Sequence, residues 1–378
     1  MKKKYIILSI ITLVLLVSFL SYSKYLKSTN VCKEDVKPTK ITKGISMNLE
    51  QTAGAGDYKT VTQSSWPTEG YKFNAELSRC EKGSELSWDD TKKAVIVSGN
   101  LSDKCYVYFD IYQPTLAEYI KSQYTGTQGD NALYYHNSTL TNGAGDNSYR
   151  YAGASDSVNN YICLGSDATT CPEANLFRII GVFGDQTKVI RAKSVGNKQW
   201  HTSSSNTWSS SSLNTYLNGE YLTGLGTLAD KIATTTWKVG GGLMPNIAIS
   251  VPKKAYQYEV GSSSSTTTVN KKIGLMYVTD YYYSASPSAW TLVGYNESDA
   301  TKDYRAATST NWLYLGSTEW TISRSSDNAN NAFYVNRTGR VSYSIVASYF
   351  GVHPSFNLES SVKYVSGSGS MSDPVRVN

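Results

Sequence analysis

Histidine and cysteine are scarce in this chain, with three and five copies among 378 residues. The histidines, His136, His201 and His353, stand far apart and never at the spacing that puts two imidazoles on one helical face. A zinc site needs three or four converging nitrogen or sulfur ligands, so no metal centre is expected from them. Serine is plentiful, yet no Gly-x-Ser-x-Gly elbow accompanies it, and the usual mark of an α/β-hydrolase nucleophile is missing. Charge is thin as well. Lys and Arg number 36 against 30 Asp and Glu, and no basic run lies among the aromatics. That pattern points to no nucleic-acid partner.

Phenylalanine is sparse too, at 8, whereas tyrosine reaches 30 amid long Ser/Thr/Asn/Gly tracts. Tyr with Ser, Gly and Asn is the vocabulary of exposed contact surfaces, because Tyr supplies contact area at low entropy cost. It is equally the vocabulary of an extracellular β-rich protein with Tyr on half-buried strands.

The chain opens with Lys2-Lys3-Lys4 and then an apolar run, Tyr5–Tyr22, with no charge until Lys24. Its length suits a membrane span or a long signal-peptide core. The lysines should stay in the cytoplasm, which places everything after Lys24 outside. Residues 1–27 are read as a signal-anchor or signal peptide, and 28–56, with Pro38 and the Gly54/Gly56 pair, as a stalk. The protein is thus expected at the cell membrane with extracellular C-terminal domains, or secreted if the segment is cleaved.

From 57 to 112 short strands follow one another: Tyr58–Gln63, Tyr71–Cys80, Ser84–Trp88, Lys93–Val97 and Cys105–Ile111. A β-domain this small benefits from a staple. Cys80 and Cys105 lie at strand ends, and in an oxidising location their disulfide is the default. Closing a loop of about 25 residues stabilises by about 3 kcal/mol on chain entropy. Residues 113–160 form a connecting helix and a wrapping loop, the helix marked by a Thr115-to-Glu118 capping box. The second domain occupies 161–378. Cys163 and Cys171 flank a hairpin-sized loop and should pair locally, leaving Cys32 over. Ser209–Leu222 reads as a helix with Leu213, Tyr216, Leu217, Tyr221 and Leu222 on one face.

The densest stretch is Asn311–Leu358. Trp312–Arg324 has the composition of a buried strand, and Ser325–Asn331 that of a loop. Two strands should then meet around Asn336-Arg337-Thr338-Gly339, where Gly339 can take a positive φ. Val341, Tyr343 and Ile345 alternate with Ser342 and Ser344, which gives one apolar and one hydroxylated face. The strand Ser355–Leu358 closes the set.

From Asn159 onward the segments NNYICLGSDATTCPEANLFRIIGVF, WSSSSLNTYLNGEYL, KIATTTWKVGG, KIGLMYVTDYYYSASPSAW, EWTISR and GVHPSFNL resemble a family of gut-bacterial surface proteins. Its members share a C-type-lectin-like domain of unknown function, akin to formylglycine-generating enzymes. LSRCEKGSELSWDD to DKCYVYFD is similar to a small domain that often precedes it. After the N-terminal membrane helix read from the apolar run, the fold expected is α+β: the disulfide-stapled β-domain, then, as the resemblance implies, a twisted antiparallel sheet with two helices and long loops. It carries over no activity, since the related enzymes use reactive cysteines late in the domain and this chain has none after Cys171. Where relatives read Gly-Val-Arg-Pro, this chain has His353, at a position read as a structural anchor.

The expectation is therefore a surface-anchored, non-enzymatic binding protein for a glycan or protein ligand. Tyr281, Tyr282, Tyr283 and Trp290, with Asp327, Asn328, Asn331, Tyr343 and Tyr349, combine aromatic faces with amides and acids at a loop rim. No cofactor is expected, although Asp299–Asp303 and Asp327–Asn331 carry oxygens that suit Ca2+. Two other classes stay open. Asp280, Glu297, Asp299, Asp303 and Glu319 could supply paired carboxylates for a glycan-modifying enzyme, and anchor plus stapled module also fit a structural envelope subunit.

Overall fold

The computed structural model describes residues 44–62, 65–67, 70–100 and 102–378, with the backbone of 33–34. The apolar run Tyr5–Tyr22, most of the expected stalk and Cys32 lie outside the described residues. Among those described, no helix is long and apolar enough to cross a membrane. The chain divides after Gln113 into two compact units.

In the first unit Ile45–Glu50 is a strand and not stalk, which corrects the sequence reading. It pairs in parallel with Cys105–Ile111 and antiparallel with Tyr58–Val61. The composition of 28–56 as a whole hides a plain alternation, Ile45, Met47 and Leu49 against Ser46, Asn48 and Glu50. Met47 and Leu49 enter the core with Val107 and Phe109. The two buried polar side chains are satisfied: Asn48 Nδ2 donates to the Val107 carbonyl, and Glu50 accepts from the Ile111 N–H at 2.9 Å. Tyr71–Phe73 and Arg79–Cys80 also pair with Cys105–Ile111, and Glu85–Asp89 forms a hairpin with Ala94–Ser98. Cys80 and Cys105 are direct cross-strand partners and are disulfide-bonded.

The second unit is sheet-rich with short helices, and the expected connecting segment belongs to it from Pro114 onward. Leu133–Tyr135 and Tyr149–Tyr151 continue a seven-stranded sheet whose remaining order is Leu176–Phe183, Gln186–Arg191, Ser355–Leu358 and Ile273–Gly274, with Tyr161–Cys163 beside Leu176–Phe183. Leu176–Phe183 is buried almost throughout because both faces are covered. Gly181 sits where it bulges, and a Cβ there would meet the Tyr149 carbonyl oxygen at 2.1 Å. Arg178 survives in this strand because its guanidinium lies over Tyr161 and Trp312 and donates to Asn160 and the Val158 carbonyl. Cys163 and Cys171 are bonded.

Helix Leu116–Ser122 has the capping box read from sequence, Glu118 N–H to Thr115 and Thr115 N–H to Glu118. The helix expected over Ser209–Leu222 is a composite. A π turn at Leu217–Tyr221 interrupts α-helical Ser212–Tyr216 and Leu222–Gly224, and Leu213, Asn214 and Leu217 are its buried residues. Trp312–Arg324 is a strand only over Glu319–Arg324, inside a five-stranded sheet with Asn331–Val335 and Val341–Ile345. Gly339, at φ 89°, closes the hairpin as expected. Val341 is buried, but Tyr343 and Ile345 are 37% and 55% exposed. The apolar side of this edge strand therefore faces solvent at Tyr343 and Ile345, in keeping with the place of Tyr343 at the expected rim.

Candidate functional site

The expected rim does not assemble as one surface. Tyr281, Tyr282 and Tyr283 lie on helix Val278–Tyr283 and all three are buried, as is Trp290. Successive helical residues point about 100° apart, and protein meets this short helix in all three directions. The hydroxyls donate to the carbonyls of Gly339, Ile247 and Asn142 respectively, and Trp290 Nε1 donates to Ala285. These residues brace the core, so as a contact surface the assignment is corrected. Asn331 is buried too.

Asp327, Asn328, Tyr343 and Tyr349 remain exposed. The loop that carries the first two is pinned from beneath by Asn206, whose buried amide nitrogen lies 2.7–2.8 Å from the carbonyls of Ser325, Asn328 and Asn331. Nothing in the local sequence marked Asn206.

The other acids and histidines have structural surroundings. Asp303 is fully buried and paired with Arg305 and Arg340 at 2.8 and 3.0 Å. Asp299 caps a short helical turn through the Thr301 N–H. His136 is buried against Tyr283 and Trp290 and accepts from the Ala144 N–H, and burial holds it well below the ordinary imidazole range. His353 contacts the Arg191 carbonyl at 3.0 Å, with Nε2 3.8 Å from Glu319. Burial pushes Glu319 up to about 8, and its Oε2 has no hydrogen-bond partner. Among the described residues no group of three or more His, Cys, Asp or Glu could hold a metal ion.

Functional groups converge elsewhere, on a cavity of about 230 Å³ against four inner strands of the seven-stranded sheet. Strand Tyr149–Tyr151 supplies Arg150, which bonds Asp146 at 2.5 Å and Ser148 at 2.8 Å. Burial alone would raise Asp146, but Arg150 and Ser148 outweigh it and bring the carboxyl down to about 2. The guanidinium lies 4.7, 5.0 and 5.5 Å from the rings of Phe183, Tyr283 and Tyr256. Lys188 enters from Gln186–Arg191 and pairs with Asp280 at 2.5 Å. Its ammonium sits 4.6 Å from the Tyr277 ring and 5.3 Å from Trp237, and desolvation pulls it below the usual lysine range. Tyr256 and Tyr277 are half-buried at the cavity wall. Asn357 also lines it, donating to Thr235 while its Oδ1 has no partner.

Beside this floor lies Glu259, buried and raised by desolvation despite bonds from Ser323, Thr279 and the N–H groups of Val278 and Thr279. A larger groove of about 740 Å³ runs between the Cys163–Cys171 loop and the strand Arg376–Val377. Its Arg376 is already bound to the carbonyls of Ser166 and Thr169. The smaller cavity has the richer chemistry.

Sequence reading missed this cavity because its residues come from six separate segments. One signal was available: Arg150 stands between two tyrosines and Lys188 directly before Val189 and Ile190, positions where a buried charge needs a partner.

Residues 184–360 match a domain family described as a domain of unknown function (DUF6273). The match includes Lys188, Trp237, Tyr256, Tyr277, Asp280 and Asn357, whereas Asp146 and Arg150 precede it. No curated protein and no solved structure matches the chain.

Proposed function

We propose that the chain is an exported, membrane-anchored binding protein whose second unit holds a small hydroxylated ligand, one residue of a glycan, in the cavity beside Tyr256 and Tyr277. One observation carries this reading: half-buried aromatic rings stand over a floor of fixed polar groups, among them the unpartnered Asn357 Oδ1. Apolar walls with a few placed polar groups are the usual make-up of ligand sites. At about 230 Å³ the cavity suits a single ring and not an extended chain. Tyr rings can lie against the C–H face of a sugar, and amide and carboxylate oxygens accept from its hydroxyls.

Binding is favoured over catalysis because the two carboxylates at the cavity, Asp146 and Asp280, are each held by their own cation. A glycoside hydrolase requires one acid free to donate and another free to attack or activate water. The C-type-lectin-like topology and the extracellular location belong to the same proposal. The motif resemblance supports the former, and the N-terminal lysines with their apolar run support the latter. A second reading, a protein ligand on the exposed Tyr343, Ile345 and Tyr349, is favoured by the 65% exposure of Tyr349.

The test is a glycan array probed with the full-length chain in detergent. Retention on a defined set of sugars at micromolar protein supports the proposal. Retention of none, with release of sugar from the array, would replace it with the enzyme reading.

A further inference from the structure

Lys188 and Asp280 meet under conditions unusual for a salt bridge. Their side chains are only 6% and 3% exposed, and the ammonium is enclosed by the rings of Tyr277, Trp237 and Phe183. Taking both charges out of water is costly, and their attraction offsets that only in part. In a low-dielectric box the charged pair and the neutral pair, amine and carboxylic acid, draw close in energy. With Nζ 2.5 Å from Oδ2, the amine is held directly beside the carboxyl group, the proximity that favours an intramolecular reaction.

We propose that Lys188 and Asp280 condense to an intramolecular amide, Nζ to Cγ, that ties the seven-stranded sheet covalently to helix Val278–Tyr283. The step balances without another reactant. The ammonium returns a proton to the carboxylate, Nζ attacks Cγ, the Cγ–O bond breaks, and one water leaves. An ammonium and a carboxylate become one amide and water, with no change of oxidation state.

Three features of the surroundings assist. Desolvation holds Lys188 below the usual lysine range, which raises the share of free amine. The Tyr277 N–H donates to Asp280 Oδ2 at 2.8 Å, where negative charge gathers in the tetrahedral intermediate. Glu259 is already occupied by the hydroxyls of Ser323 and Thr279 and the N–H groups of Val278 and Thr279, which leaves Asp280 as the ion-pair partner of Lys188. The amide is neutral and keeps the cavity walls intact, so this inference stands apart from the ligand proposal.

Peptide mapping of the folded full-length chain, selected for both disulfides being formed and then reduced, provides the test. The expected product is one branched peptide joining the Lys188 and Asp280 segments, lighter by one water than the two separate peptides. The Lys188→Arg variant should lack it. Recovery of the two segments only as separate, unmodified peptides from the wild-type chain overturns the proposal, whatever the variant does.

Discussion

Glu319 and His353 are both neutral at pH 7, which inverts the ordinary expectation for an acid beside a base. Burial raises the first to about 8 and lowers the second below its ordinary value. The sign follows from linkage. A carboxyl raised in the folded state contributes stability that is complete below its unfolded value of 4.5 and is lost as pH rises through about 8. The depressed His353 acts oppositely: its contribution is present above the unfolded value of 6.5 and is lost as pH falls through the folded one. Thermal melts from pH 5 to 9 should therefore show the wild type losing stability toward alkaline pH, with this pair contributing at most about 1.4 kcal/mol per pH unit. Glu319→Gln should flatten that limb. An unchanged alkaline limb in the Gln variant would mean that Glu319 is ionised in the fold.

The same geometry sharpens the role of position 353. A guanidinium there could reach the unpartnered Glu319 Oε2 and hold the carboxylate ionised. His353→Arg should stabilise by about 1–2 kcal/mol at pH 8, the size of a charge-assisted hydrogen bond discounted for burial. An unchanged or lower melting midpoint would remove the anchor reading. The histidine was visible in sequence as a departure from Gly-Val-Arg-Pro. Its partner was not, because Glu319 lies 34 positions earlier, on the strand Glu319–Arg324.

At the scale of elements, helix Val278–Tyr283 shows why three consecutive tyrosines misled. Sequence gives their order but not what surrounds the helix, and here all sides are protein. Each hydroxyl satisfies a main-chain carbonyl, so Tyr281→Phe and Tyr282→Phe should each cost about 1–2 kcal/mol in urea unfolding while leaving ligand binding intact. Loss of binding with no loss of stability would return these residues to a contact surface. The loop Ser325–Asn331 offers the complementary case. Its polarity was legible, but its rigidity comes from Asn206, more than a hundred positions away. Asn206→Ala should cost about 1–3 kcal/mol and speed amide exchange first in this loop. Uniform exchange over the whole unit would argue against local pinning.

For the whole molecule, local signals carried far. Alternation and turn residues located most strands of the first unit, and strand ends located both disulfides, because each depends on neighbours in sequence. What depends on distant partners stayed hidden. Ile45–Glu50 needed Cys105–Ile111 to become a central strand, and the cavity needed six segments to close. Removing the Cys80–Cys105 bond, with both replaced by Ser, should destabilise the first unit by about 3 kcal/mol. Amide exchange in Ile45–Glu50 and Cys105–Ile111 should rise accordingly, and full protection there would show that the core suffices alone.

The claim that ligand binding lies in the cavity and not on the exposed tyrosines is open to one direct comparison. Calorimetric titration of the full-length chain with the sugar retained on the array should be run on the wild type, Tyr256→Ala, Asn357→Ala and the double variant Tyr343→Ala/Tyr349→Ala. Each cavity variant should weaken binding at least about tenfold, a loss of about 1.4 kcal/mol, while the double variant binds as the wild type does. Wild-type affinity in both cavity variants, with binding lost in the double variant, would contradict it.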